Sequence, residues 1–67
     1  MSKEAHWKEC LEDFLVSAEG DYTHSESLAV YEGRPTKEHT LFAKKETITW
    51  NIDTKTNEIL GVKHLGR

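Results

Sequence analysis

The chain has 67 residues, of which 36% are hydrophobic and 31% charged, with a formal net charge of −3. A domain this short buries only about 60% of its unfolded surface, so its core is thin and gains from a disulfide, a metal or self-association. Cys10 is the only cysteine, which excludes an internal disulfide and suits a reducing cytosol.

Residues 2–19 read as an amphipathic helix. At helical spacing Trp7, Leu11, Phe14 and Ala18 form one stripe, flanked by Cys10 and Leu15, while Glu4, Glu9, Glu12 and Asp13 take the other side. Ser2 suits the N-cap, Glu4 suits the positive end of the dipole, and Gly20 supplies a left-handed stop. The opening MSKEAHWKECLEDF is charged and periodic and lacks the apolar stretch of a signal peptide. No run of about 18 apolar residues is present to span a membrane. One soluble cytoplasmic domain over residues 1–67 is the expectation.

GDYTHSES, residues 20–27, is polar and rich in turn formers, and reads as a loop. LAVYE, 28–32, is short, apolar and stopped by Gly33 and Pro35, which favours a strand over a short helix begun by Ser25 or Ser27. RPTKE then connects to a strand at 39–43. In TITWNID, 47–53, Ile48, Trp50 and Ile52 alternate with Thr47, Thr49 and Asn51, the period of a half-buried strand. Lys44-Lys45 lacks glycine or asparagine, so residues 39–53 are either two strands joined by a turn, the reading preferred, or one bent strand. After TITWNID comes a tight turn in which Asn57 tolerates positive φ and Asp53 accepts hydrogen bonds. Residues 58–65 return as the partner strand.

The fold class expected is α+β: one N-terminal amphipathic helix packed on a three- or four-stranded antiparallel sheet with a C-terminal β-hairpin. With Asp53 opposite Glu58, Ile52 faces Ile59 and Trp50 lies across from Gly61. The same register sets Leu60 and Val62 on the second face, beside Asn51 and Thr49. A half-apolar second face means either a register one residue different or a sheet with a partner on each face.

Charge is uneven along the chain. Residues 1–33 hold eight acidic against two basic residues, and residues 34–67 hold seven basic against four acidic. Two elements that complement each other electrostatically are the reading preferred over two faces for different partners. Four histidines invite a metal, with His6 and Cys10 one helical turn apart and His24 or His39 as a third ligand. No paired-cysteine or paired-histidine spacing supports it, and no metal or other cofactor is expected. There is no nucleophile elbow and no phosphate-binding loop. A triad of Asp21, His24 and Ser25 has sequence adjacency but not catalytic geometry. Tyr31 and Trp50 beside Lys44, Lys45, Lys63 and Arg67 would suit base stacking and phosphate contact. The net acidity of the chain weighs against it.

The C-terminal TITWNIDTKTNEILGVKHLGR, residues 47–67, resembles the closing hairpin of RelE/ParE-type toxins. There an aromatic-bearing strand, a short acidic turn and a last strand end in a basic segment. The resemblance implies an RNA-directed ribonuclease in which His64 and Arg67 face RNA and Lys63 contacts phosphate. That family's opening strand and second helix have no counterpart here.

The function expected is a small protein-binding module, a regulator or inhibitor acting by surface occupancy, with a homodimer in view. A non-enzymatic role is expected, with the RNA-directed toxin or a non-catalytic nucleic-acid binder as the alternative. The interaction residues expected are Leu60, Val62, Lys63 and His64 on the hairpin, with a charged rim of Lys44, Lys45, Glu12 and Asp13.

Overall fold

A computed structural model describes residues 3–66. It consists of helix α1 (Lys3–Ala18) followed by strands β1 (Thr23–Tyr31), β2 (Arg34–Phe42), β3 (Thr47–Asp53) and β4 (Ile59–Leu65). The strands form one antiparallel meander in the order β1-β2-β3-β4, so the α+β architecture expected from the sequence is the one observed. No helix among the described residues is long and apolar enough to cross a membrane.

The helix forms where its apolar stripe predicts. Phe14 is fully buried, and Trp7, Cys10, Leu11 and Ala18 pack against the core it shares with Leu41, Ile48 and Trp50. Leu15 and Val16 face solvent. Glu19 and Gly20 both take positive φ, and the Asp21 N–H donates to the Ala18 carbonyl at 2.9 Å, so the helix ends in the left-handed conformation glycine favours. The N-cap expected at Ser2 lies outside the described residues.

β1 and β2 are longer than the sequence suggests. Thr23–Ser27, read as loop, belongs to β1, and Arg34–Glu38, read as a connection, belongs to β2. A two-residue turn, Glu32-Gly33, has φ of 50° and 77°, the doubly positive pattern that matches the twist of a hairpin. Pro35 fits in a central strand because of where its missing N–H would point. Its carbonyl accepts from the Thr54 N–H, beyond the end of the β2–β3 ladder, which starts at Thr36↔Asp53. A residue's N–H and C=O leave a strand on the same side, so no bond to β1 is lost.

Lys44-Lys45 is a turn, closed by the Ala43 N–H donating to the Glu46 carbonyl at 2.9 Å. The β3–β4 connection follows its residue chemistry. Asn57 has φ 63°, and Asp53 Oδ1 accepts from the backbone N–H of Lys55 at 2.7 Å and of Thr56 at 3.0 Å. Those two bonds, then the Arg34 guanidinium, hold the Asp53 carboxyl below its usual range against the opposing effect of burial.

Register in β3–β4 starts as expected, with Ile52↔Ile59, and is then broken. Asn51 pairs with Leu60 but Thr49 pairs with Lys63, so Gly61 and Val62 together oppose Trp50. Gly61 has φ 57°, the left-handed residue of a glycine bulge. The expectation that Leu60 and Val62 share the second face is therefore corrected. Leu60 stays there beside Asn51, while Val62 is carried to the helix side and joins the periphery of the core.

The ring that covers Gly61 is that of Tyr31. A Cβ on Gly61 would lie 2.6 Å from Tyr31 Cε1, although Tyr31 belongs to β1 at the far edge. In a flat sheet β1 and β4 would be about 14 Å apart, so the sheet curls and the tip of the first hairpin folds over the second. Beneath that tip Leu60 is 1% exposed, and a polar network is closed off. Asn51 Nδ2 donates to Thr36 Oγ1 at 3.0 Å, Thr36 Oγ1 donates to the Ala29 carbonyl at 2.9 Å, and Arg34 bridges Asp53 and Glu58.

Gly61→Ala should lower stability by about 1–3 kcal/mol, because it combines a left-handed alanine with displacement of the Tyr31 ring. Chemical denaturation checks this. A variant as stable as the parent would mean that the bulge and the Tyr31 cover are not required.

Candidate functional site

The helix covers half of the sheet. α1 packs on β3 and β4, which leaves the outer part of the same face to solvent. Alternation and pairing put His24, Glu26, Leu28 and Val30 of β1 on this face, next to Leu41, His39, Lys37 and Pro35 of β2. Leu28 is 81% and Val30 75% exposed, although the row they belong to continues inward through Ile52 and Ile59 to the core. β1 is also an edge strand, with no neighbour on its outer side.

An aromatic seam connects this bare area to the helix. The Trp7 and Trp50 rings are 5.5 Å apart, tilted by 56°. His39, directly across from Trp50 in the ladder, stacks on it at 5.4 Å and 12°. His24 follows, with its Nε2 3.1 Å from His39 Nδ1. The two imidazoles are near parallel, with centroids 5.3 Å apart. That distance is little more than the N···N gap plus two half-rings, so the rings meet edge to edge and not face to face. Glu26 Oε1 is 3.5 Å from the same His39 nitrogen, and Lys37 Nζ lies 3.9 Å from Glu26. Burial pushes His39 below the ordinary imidazole value; Glu26 opposes that shift, and His24 and Lys37 add to it.

The residues singled out by sequence are distributed differently. Leu60 is buried beneath the first hairpin, and Val62 is half-buried on the helix side. Lys63 is exposed on the second face, opposite Thr49. His64 is half-buried, with Nε2 2.6 Å from Glu46 Oε1 and its ring edge-on to Phe14. Asp13 and His64 line one shallow depression with Val16 and Ser17. Lys44 and Lys45 line a neighbouring one, where the helix ends, with Glu19 and Asp21. Glu12 is exposed and lines neither. The structure thus brings Asp13 to His64 and Lys44 to Lys45, but does not gather Leu60, Val62 and the rim into one surface.

On the helix, Cys10 Sγ lies 3.7 Å from His6 Nε2. Burial, then Asp13 and Glu9, pushes the thiol up, which disfavours the thiolate that would act as ligand or nucleophile. Sequence reasoning missed Leu28, Val30 and the assembly of His24, Glu26 and His39. The signal was present as the alternation His24-x-Glu26-x-Leu28-x-Val30, hidden by reading 20–27 as loop.

No family model matches the chain, and no characterised protein or solved structure matches it at a significant level. The fold alone defines its class, a small α+β protein with one helix on a four-stranded meander.

NMR titration of the imidazoles should give His39 a midpoint below 6.5, the ordinary histidine value. Glu26→Gln should lower it further, because the carboxylate favours the charged ring. A midpoint above 6.5 in the parent protein would show that the neighbouring acid outweighs burial.

Proposed function

We propose that the protein is a small binding module that acts by surface occupancy, and that its working surface is the uncovered β1 side of the sheet. The observation that carries this reading is β1 itself. It is a nine-residue edge strand with no proline, no lysine and two exposed aliphatic residues on its helix-side face. Soluble proteins blunt such edges with charges, bulges or a covering element, because bare strand edges add strands from other chains. Among the described residues β1 has no covering element, and Glu26 is the one formal charge along it.

The occupant is a second copy of the chain, paired β1 to β1 in antiparallel fashion. Such a contact is isologous, so one surface serves both copies. Centred on Ser27, the pairing sets Glu26 against Leu28 of the second copy and His24 against Val30. Glu26 is the only acidic residue in THSESLAVY, and this register sets the two Glu26 as diagonal neighbours and not directly opposite each other. Leu28 is diagonal to Leu28 in the same way, which buries the side chains now exposed. A thin-cored domain gains the buried area it lacks. The regulatory role expected from the sequence would be exercised by this assembly through a surface that only the pair presents.

The RNA-directed alternative would rest on His64, Lys63 and Arg67. His64 is engaged by Glu46 and tucked against Phe14, and Arg67 lies outside the described residues. Lys63 is exposed.

Leu28→Lys with Val30→Lys places charge on the edge while leaving the core intact. Sedimentation analysis should show a dimer for the parent protein and a monomer for this variant, with the concentration dependence of the melting temperature lost. A parent protein that stays monomeric, or a variant that dimerises as well as the parent, overturns the reading.

A further inference from the structure

We infer that His24, Glu26 and His39 form a binding site for a zinc-class divalent cation on the first hairpin. The ligand atoms of these three residues all lie within 4.8 Å of one another, and they are the one such group among the described residues. The ladder explains why they meet. Glu26 and His39 are direct cross-strand partners, and His24 is one alternation further along on the same face, within diagonal reach of His39. Residues distant in sequence are thus set by the Glu32-Gly33 turn, whose register fixes every pairing between them.

The geometry suits a small N/N/O site. Zinc takes imidazole nitrogen at about 2.0–2.1 Å and carboxylate oxygen at about 2.0–2.2 Å, so two imidazole nitrogens on one ion stand a little over 3 Å apart. His24 Nε2 and His39 Nδ1 are 3.1 Å apart, and because the rings meet edge to edge, both nitrogens face the space between them. Glu26 Oε1, 3.5 Å from the His39 nitrogen, closes the third side. Without an ion, this is the geometry of an N–H···N hydrogen bond between two neutral rings. A modest rotation of exposed His24 opens the angle for a cation. His39 is the fixed ligand, half-buried and held by its stack on Trp50.

Two histidines and one carboxylate favour zinc, copper(II) or nickel(II) over magnesium or calcium, which prefer oxygen. Three protein ligands leave a position open, and with His24 and Glu26 exposed, that position faces solvent. The bound ion would clip β1 to β2 and stiffen the edge strand. Lys37, 3.9 Å from Glu26, competes with the ion for the carboxylate. The site lies within one chain, so it stands whether or not two copies pair.

Calorimetric titration of the chelator-stripped protein with zinc alone tests this, read together with the imidazole NMR signals. One zinc per chain is expected, with the signals of His24 and His39 moving and those of His6 and His64 unchanged. His24→Ala and His39→Ala should each weaken binding by at least about tenfold, Lys37→Met should strengthen it, and His6→Ala with Cys10→Ala should change nothing. His24 is exposed, so its variant keeps the fold and a loss of binding there reads the site directly. Absence of saturable binding, or binding that survives His24→Ala, overturns the inference.

Discussion

The structure depends on one extra residue in β4. Gly61 in the left-handed conformation admits it, and from that point the strand presents the opposite face to its neighbours. Leu60, before the bulge, goes under the first hairpin; Val62, after it, goes under the helix. The absent side chain at Gly61 is also the seat for Tyr31, and Tyr31 holds the curl of the sheet. The helix thereby covers one side of β3 and β4, and the hairpin tip covers the other around Asn51 and Leu60. With so few residues, nothing remains to cover β1.

Burial is divided along the sheet accordingly. β3 carries the buried positions Ile48, Trp50, Asn51 and Asp53, whereas β1 carries none. The network around Asp53, Thr36 and Asn51 adds buried hydrogen bonds on the hairpin-tip side to the packing of Leu60 and Tyr31. On the other side, the Trp7–Trp50–His39 seam runs from the helix to the bare hairpin, where it ends in the paired histidines. Core packing therefore fixes one of the three side chains of the candidate cation site and leaves two adjustable. Both functional proposals use the same strand: the side chains of β1 that face the helix layer, and its unpaired edge.

The helix and the second hairpin were legible in the sequence because their periodicity comes from burial. Trp7, Leu11, Phe14 and Ala18 recur at helical spacing, and Ile48, Trp50 and Ile52 alternate, since each set has a core to face. Asp53 and Asn57 marked the turn through their own backbone chemistry. The second half of β1 was legible as LAVYE, but the first halves of β1 and β2 were not, for the complementary reason. THSES and RPTKE pair through their backbones while their side chains stay largely in water, so no hydrophobic alternation announces the strand. The bulge was hidden as well, because a glycine in a strand signals a cross-strand cover, a bend or an extra residue equally. Placing Leu60 and Val62 together followed from continuing an unbroken register by two residues too many. The bulge places Leu60 and Val62 on opposite faces, the first buried and the second half-buried at the edge of the core.

The central claim, that β1 is the working edge, is tested most directly by amide hydrogen exchange at low and high protein concentration. If two copies pair through β1, amides within Thr23–Tyr31 that point away from β2 exchange freely in dilute solution and become protected as concentration rises, while β4 is unchanged. Exchange in β1 that is independent of concentration, or new protection along Ile59–Leu65 instead, would contradict it.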